Sequence, residues 1–246
     1  KAHYNLGYAY FDKKQYALAN SWFRKFEMQS GFANTVLMND ALNRIGDCYY
    51  IDKEFAPASE YYKKAADIGL IEPDYTLYQM ALSFGGQKDY QKKIWSLRRL
   101  VNDYPESEYV GNAHFEIGRT YQTSLNNADS AMFYYNRLIS NYPNSSMKKA
   151  AMSSLGSIYF NQRDFNKALD IYKNIIAEFP NTEEASNANT MIREIYIELD
   201  NPDEYIEYAN SGAVDISEDE QDEIMWIAAK KLNNDQKYNE ARITLT

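Results

Sequence analysis

Apolar and polar positions along this chain follow a helical period that restarts every few dozen residues. "LGYAYFDKKQYALANSWF", from Leu6 to Phe23, sets the pattern: small or apolar residues three and four apart, a polar turn, then a second set with the same spacing. Positions three and four apart share one face of a helix. The stretch therefore predicts two antiparallel helices joined by "DKKQ". The order returns along the whole chain. A small residue, or its substitute, stands three positions before a recurring large one at Gly7/Tyr10, Gly46/Tyr49, Ala81/Phe84, Gly118/Tyr121, Gly156/Tyr159, Arg193/Tyr196 and Ala229/Leu232, in steps of 39, 35, 37, 38, 37 and 36. Nine residues after the small one comes an aromatic at Tyr16, Phe55, Tyr90, Phe165 and Tyr238. Ala19, Ala58, Ala168 and Ala241 follow three later, and Ala131 joins them if "SLNNAD" carries one inserted residue. A bulky residue comes next at Phe23, Tyr62, Leu97, Tyr135, Tyr172 and Leu245.

Each unit thus predicts a first helix with a small-x-x-aromatic face and a second with aromatic-x-x-Ala-x-x-x-bulky. The small residues let the two approach closely. Pro105, Pro143 and Pro180 fall where one unit hands over to the next and end the second helix there. The expectation is about fourteen helices in pairs and no sheet, in units of about 1–34, 35–72, 73–107, 108–145, 146–182, 183–216 and an incomplete 217–246. The packing face of the first helix is expected to hold His3, Leu6, Gly7 and Tyr10. Unit six, with Arg193 for Gly and Tyr205 for Ala, is expected to pack with distortion. Gly85-Gly86 in "SFGGQKDY" reads as a helix end with a left-handed cap.

"LGYAY", "IGDCY", "IGRTY" and "LGSIY", followed by Ala, aromatic and Pro at fixed offsets, resemble the tetratricopeptide repeat (TPR). The resemblance covers essentially the whole of residues 1–246 as a single array. It implies an all-α, right-handed superhelical solenoid of about seven helix-turn-helix units. "DYPESEYVGNAHFEIGRTYQ" and "NYPNSSMKKAAMSSLGSIYF" further resemble repeats of bacterial envelope TPR proteins, the BamD-like outer-membrane-assembly lipoproteins and the Tol-Pal coordinators. That implies a periplasmic or envelope-associated protein, with a cytoplasmic one as the alternative.

Composition narrows the chemistry. The net charge of -9 disfavours nucleic acid as a partner. The acidity is local: residues 181–225 hold 14 Asp and Glu against one basic residue, Arg193. No apolar run is long enough to span a membrane. The single cysteine, Cys48, rules out an internal disulfide. The chain enters the repeat at Lys1 and leaves it inside a second helix, so it is expected to belong to a longer array. Its uncapped end, with Ile243 and Leu245, is expected to self-associate.

No residue set points to an enzyme, a cofactor or a metal. His3 and His114 occupy the same packing position in different units, and Cys48 reads as a small buried residue. Ser217 and Glu220 in "SEDEQDEIMW" read as a capping box rather than a calcium loop. Phosphate-binding and nucleophile motifs are absent. The resemblance implies instead a protein-interaction scaffold that holds a partner protein or peptide in a concave groove lined by the first helices. The face opposite the packing positions presents Tyr4, Tyr8, Phe11, Asn43, Asp47, Tyr50, Tyr75, Tyr78, Phe115 and Arg119. The Lys/Asn/Arg set by which some TPR domains clamp a peptide C-terminus is missing, Tyr4 and Tyr8 standing at its positions in unit one. The alternative is a repeat module attached to an enzyme or to a membrane-anchored domain outside this segment.

Overall fold

The structure, a computed structural model, describes residues 1–30, 35–214 and 216–234. Among them are thirteen α-helices and no strand. The chain divides into two compact units, residues 1–134 and 135–246. In the first, α1 (Ala2–Asp12) packs on α2 (Tyr16–Ser30), α3 (Val36–Ile51) on α4 (Phe55–Ile68) and α5 (Pro73–Gly86) on α6 (Tyr90–Asp103). These are followed by α7 (Tyr109–Thr123) and α8 (Ala128–Asn141), within which the division falls. Helices α3, α5 and α7 also touch in sequence, making one wall. The second unit holds α9 (Lys148–Asn161) on α10 (Phe165–Glu178), then α11 (Glu183–Glu198), α12 (Pro202–Tyr208) and α13 (Glu218–Asn234). The expected fourteenth helix, with Tyr238, Ala241, Ile243 and Leu245, lies outside the described residues.

In three pairs the repeated small residue is where the two helices close. A Cβ built on Gly7 would lie 2.6 Å from the Phe23 ring, one on Gly46 2.7 Å from Tyr62, and one on Gly156 2.7 Å from Tyr172. In each case the ring stands sixteen residues after the glycine. Ala19, Ala58 and Ala168, one turn before those rings, are fully buried. The sixth unit inverts the sizes: sixteen residues after Arg193 stands Ala209, which is buried. Its second helix is the seven-residue α12, which passes into a π-helical turn, Ala209–Ala213, with Gly212 at φ 87. Tyr205, the substitute for Ala, is buried and donates to Asn189 Oδ1 at 3.1 Å. Distortion falls where the pattern weakens.

The turns within pairs repeat as faithfully. Lys14, Lys53, Lys88, Asn126, Arg163 and Asp200 all adopt the left-handed conformation, with φ between 48 and 61. In five of them the next residue donates its N–H to the carbonyl of the recurring aromatic: Gln15 to Tyr10, Glu54 to Tyr49, Asp89 to Phe84, Asp164 to Tyr159 and Asn201 to Tyr196. This is the Schellman closure, with a charged residue where glycine is usual. Asp89 and Asp164 then cap the next helix, accepting from the N–H of Lys92 and Lys167. One aspartate thus ends one helix and starts another, which keeps the turns short. The Asn126 turn spans one residue more, Asn127 donating to Tyr121, in keeping with the inserted residue in "SLNNAD".

Two expectations need correction. Gly85 and Gly86 do not form a left-handed cap: α5 runs through them, and Lys88 carries the positive φ. Their smallness serves packing, because a Cβ on Gly86 would overlap the Phe55 ring. Leu6 is not on the packing face but 39% exposed; His3 stacks on Trp22 at 5.4 Å. Ser217 and Glu220 do form the capping box, with Glu220 N–H to Ser217 Oγ at 3.2 Å and Ser217 N–H to Glu220 Oε2 at 2.8 Å. Acidic residues open α11, α12 and α13, so much of the local acidity lies at helix N-termini, where the dipole favours it.

Gly46→Ala tests the close approach. The Tyr62 ring is fully buried and its hydroxyl is anchored, so it cannot swing away. The expected cost is about 1–3 kcal/mol of stability by denaturant titration.

Candidate functional site

The first unit carries all ten residues that the sequence places in a groove. Tyr4 and Tyr8 of α1 both donate to Asp40 Oδ2 of α3, at 2.7 and 2.6 Å. Asp47, one side of α3 further along, accepts from Tyr62 of α4 and Tyr75 of α5, both at 2.7 Å on Oδ1. Arg44 stands between the two carboxylates. Its Nη1 donates to Asp47 Oδ2 at 2.7 Å, its Nη2 to Glu72 at 3.2 Å, and its Nε lies 3.6 Å from Asp40. The guanidinium also sits 5.9 Å from the Phe11 ring and 5.5 Å from that of Tyr75. Asn43 is fully buried and accepts from the Thr76 hydroxyl at 2.9 Å.

The titration of these groups reflects the burial. Burial, then the Asp40 carboxylate, pushes Tyr4 up to about 12. Tyr8, Tyr62 and Tyr75 move further in the same direction for the same kinds of reason. Burial raises Asp47, and the opposing pull of Arg44, Tyr75 and Tyr62 does not fully cancel it. Cys48, beside Asp47 and buried, is pushed up to about 12 by burial first. Its thiol is therefore held protonated near neutral pH, the opposite of an activated nucleophile.

The ten groove candidates thus separate. Asn43 and Asp47 do not face a groove: both are buried and bonded to their own neighbours. Tyr4, Tyr8, Phe11 and Tyr75 are half-buried and tied into the same cluster. Tyr78 stacks on Tyr109 at 5.1 Å, and Phe115 is half-buried on α7. Tyr50 and Arg119 remain at an opening. They line a cleft of about 340 Å³ on the α3–α5–α7 wall, together with Phe55, Leu82, Tyr90, Lys93 and Glu116. Within it Lys93 meets Glu116 at 2.6 Å and Arg119 meets the same carboxylate at 2.9 Å. Burial raises the Glu116 pKa, but the bonds from Lys93 and Arg119 outweigh it and leave Glu116 below the usual carboxylate range.

Lys93, Glu116 and Phe55 had no signal in the groove pattern. Lys93 and Phe55 belong to second helices, and Glu116 lies off the predicted face. A second cleft, about 400 Å³, opens on the other side of α5 between α4 and α6, beside the exposed Trp95. Of its cations Lys63, Lys92 and Arg99, the last two are paired with Asp89 and Asp103, and Glu60 and Asp67 line it as well. Among the described residues no group of three or more His, Cys, Asp and Glu is placed to hold a metal ion, and no helix is long and apolar enough to cross a membrane.

Tyr62→Phe tests the Asp47 cluster. It keeps the ring that fills the space by Gly46 and removes one donor from a buried carboxylate. The expected loss is about 1.5–3 kcal/mol at neutral pH. Losing that donor raises Asp47 further. The raised pKa means that ionised Asp47 weighs against folding as pH rises, so the deficit of the variant shrinks as pH falls through the Asp47 pKa. Urea titrations across a pH series check both size and sign.

Comparison with curated protein sequences gives no match. Two tetratricopeptide repeat profiles do match, one over residues 75–107, 112–145 and 150–182 and one over 1–26 and 40–68. Solved structures share the fold. The C-terminal part of a TPR repeat-containing protein from Cytophaga hutchinsonii aligns with a TM-score of 0.63 at 15% identity, over 98% of this chain and 91% of its own. A tetratricopeptide repeat protein from Parabacteroides merdae gives 0.61 at 16% identity, over 99% and 91%. YrrB, a TPR protein with an unusual peptide-binding site, gives 0.56 at 18% identity, over 76% and 90%. With the repeat matched across most of its length and the paired helices closed on a small residue, this chain belongs to the tetratricopeptide repeat family.

Proposed function

We propose that this chain is a protein-interaction scaffold whose binding surface is the α3–α5–α7 wall, holding an extended segment of a partner protein. The observation that carries the reading is the cleft there, which combines Tyr50, Leu82 and Tyr90 with the charged groups of Lys93, Glu116 and Arg119. Aromatic and aliphatic side chains stand there beside convergent polar groups, the two kinds of contact that a ligand site combines. Tyrosine and arginine are also the side chains that interfaces favour. TPR proteins in general act as protein-interaction scaffolds, and YrrB has a peptide-binding site on a related fold. The tyrosines of α1 are bonded to Asp40 and so tie α1 to the wall at α3.

Within this reading residues 1–246 form one array of seven units. The phrasing of Tyr104-Pro105 with Ile117-Gly118 and of Tyr142-Pro143 with Leu155-Gly156, like that of envelope TPR proteins, supports a role in bacterial envelope assembly.

The test uses a synthetic peptide array probed with the intact chain. Leu82→Arg, a half-buried position in the cleft, is expected to lower binding of most retained peptides by about tenfold or more, with an unchanged helical circular dichroism spectrum. Lys63→Glu, in the opposite cleft, is the control and is expected to leave binding unchanged. The reverse result would overturn the reading. Fractionation of source cells, with immunoblotting, checks the envelope assignment; a strictly cytoplasmic signal would remove it.

A further inference from the structure

The glycine pair that looked like a helix end shapes the cleft. Phe55 lies over Gly86, and the Lys93 stem crosses Gly85, where a Cβ would come within 3.2 Å of Lys93 Cδ. The bare backbone lets that stem run inward. Its ammonium then reaches Glu116 of the neighbouring helix at 2.6 Å, with both side chains largely buried. Arg119, three residues on from Glu116, donates to the same carboxylate at 2.9 Å, while about half of its side chain remains exposed.

The charged groups lining this cleft are therefore two cations and one anion. Glu116 stays ionised at neutral pH, because Lys93 and Arg119 overcome the effect of its burial. The buried Lys93–Glu116 pair is balanced, so the surplus positive charge of the cleft sits on Arg119, at the solvent edge. Arg119 has five N–H donors, and one shared carboxylate occupies only part of its fork. The exposed edge of the fork, with the Thr123 and Ser124 side chains lining the same cleft, fits a planar two-oxygen anion.

We propose that Lys93, Glu116 and Arg119 form a receptor for a carboxylate of the bound segment. The carboxylate seats on the open edge of Arg119, and Glu116 holds the two cations in place while Tyr50 and Leu82 take an apolar neighbour of the acidic group. This rests on the groove reading above and specifies which partner segments it takes. The carboxylate comes either from an Asp or Glu side chain or from the C-terminus of the partner, and the chemistry at Arg119 is the same for both.

The experiment pairs short synthetic peptides. Each is made with Asp or Glu and again with Asn or Gln at the same place, and each with a free or an amidated C-terminus. Binding is measured to the intact chain and to Arg119→Gln, at a position about half exposed, with circular dichroism to confirm that the helices are kept. The wild-type chain is expected to favour the carboxylate member by about tenfold or more, the equivalent of one charge-assisted hydrogen bond. Arg119→Gln is expected to shrink the ratio between the carboxylate and neutral members to about twofold or less, with a smaller salt dependence of the carboxylate members. A preference that follows the side chain, or one that follows the terminus, supports the receptor and identifies the source. Peptides that bind in a Leu82-dependent way with no preference for the carboxylate member would overturn the receptor and leave the groove standing. If no peptide bound at all, both would fall.

Discussion

Three helix pairs of this fold depend on one contact: the first helix has no side chain where the second places a ring. Gly7 meets Phe23, Gly46 meets Tyr62 and Gly156 meets Tyr172, each at a separation of sixteen residues. The ring fills the volume that a Cβ would take, so the two axes can close to the short distance that small residues allow. That separation fixes the length of the turn between the helices. It leaves no room for a loose loop, and the chain accepts left-handed Lys, Arg, Asn and Asp to keep the turn tight. Each such residue costs about 1–2 kcal/mol of local strain relative to the right-handed conformation. The strain is tolerated because the Schellman bonds and the following cap satisfy the helix ends at the same place.

The same contact positions the polar network of the first unit. Tyr62 is held against Gly46, so its hydroxyl lands beside Asp47, and Tyr75 reaches the same oxygen from the next pair. Three helix pairs are thereby tied to two carboxylates on α3. Buried charges of this kind add little to stability once desolvation is counted, but losing one partner leaves another uncompensated. What the network supplies is register: Tyr4, Tyr8, Tyr62 and Tyr75 satisfy Asp40 and Asp47 in one arrangement of α1, α3, α4 and α5. The aromatic rings at this end are thus committed to the protein itself. The opening further along lies at α5 and α7.

How legible all this was depends on whether a feature is periodic. The helices and their pairing, the buried alanines at 19, 58 and 168, and the weak sixth unit all show in the sequence, because each follows from spacing along one chain and from residue size. The capping box at Ser217 is equally local, since its two bonds span three residues. The ten groove candidates came from helical phase alone. Phase tells which side of a helix a residue occupies but not what the next pair sets against that side. For this reason Asn43 and Asp47 proved buried while Tyr50 and Arg119 stayed at an opening.

The sequence by itself determined the repeat, the all-α class and the family, because those rest on the period and on the choice of small against large residues. Only the tertiary structure decided which polar groups meet. Lys93 and Glu116 are 23 residues apart on different helices, and Tyr4 and Asp40 are 36 apart. No spacing rule within one helix brings such pairs together. Their partners are set by how one pair leans on the next, and that lean is fixed by volumes such as Phe55 over Gly86, where sequence shows a glycine and only packing shows the ring that needs it.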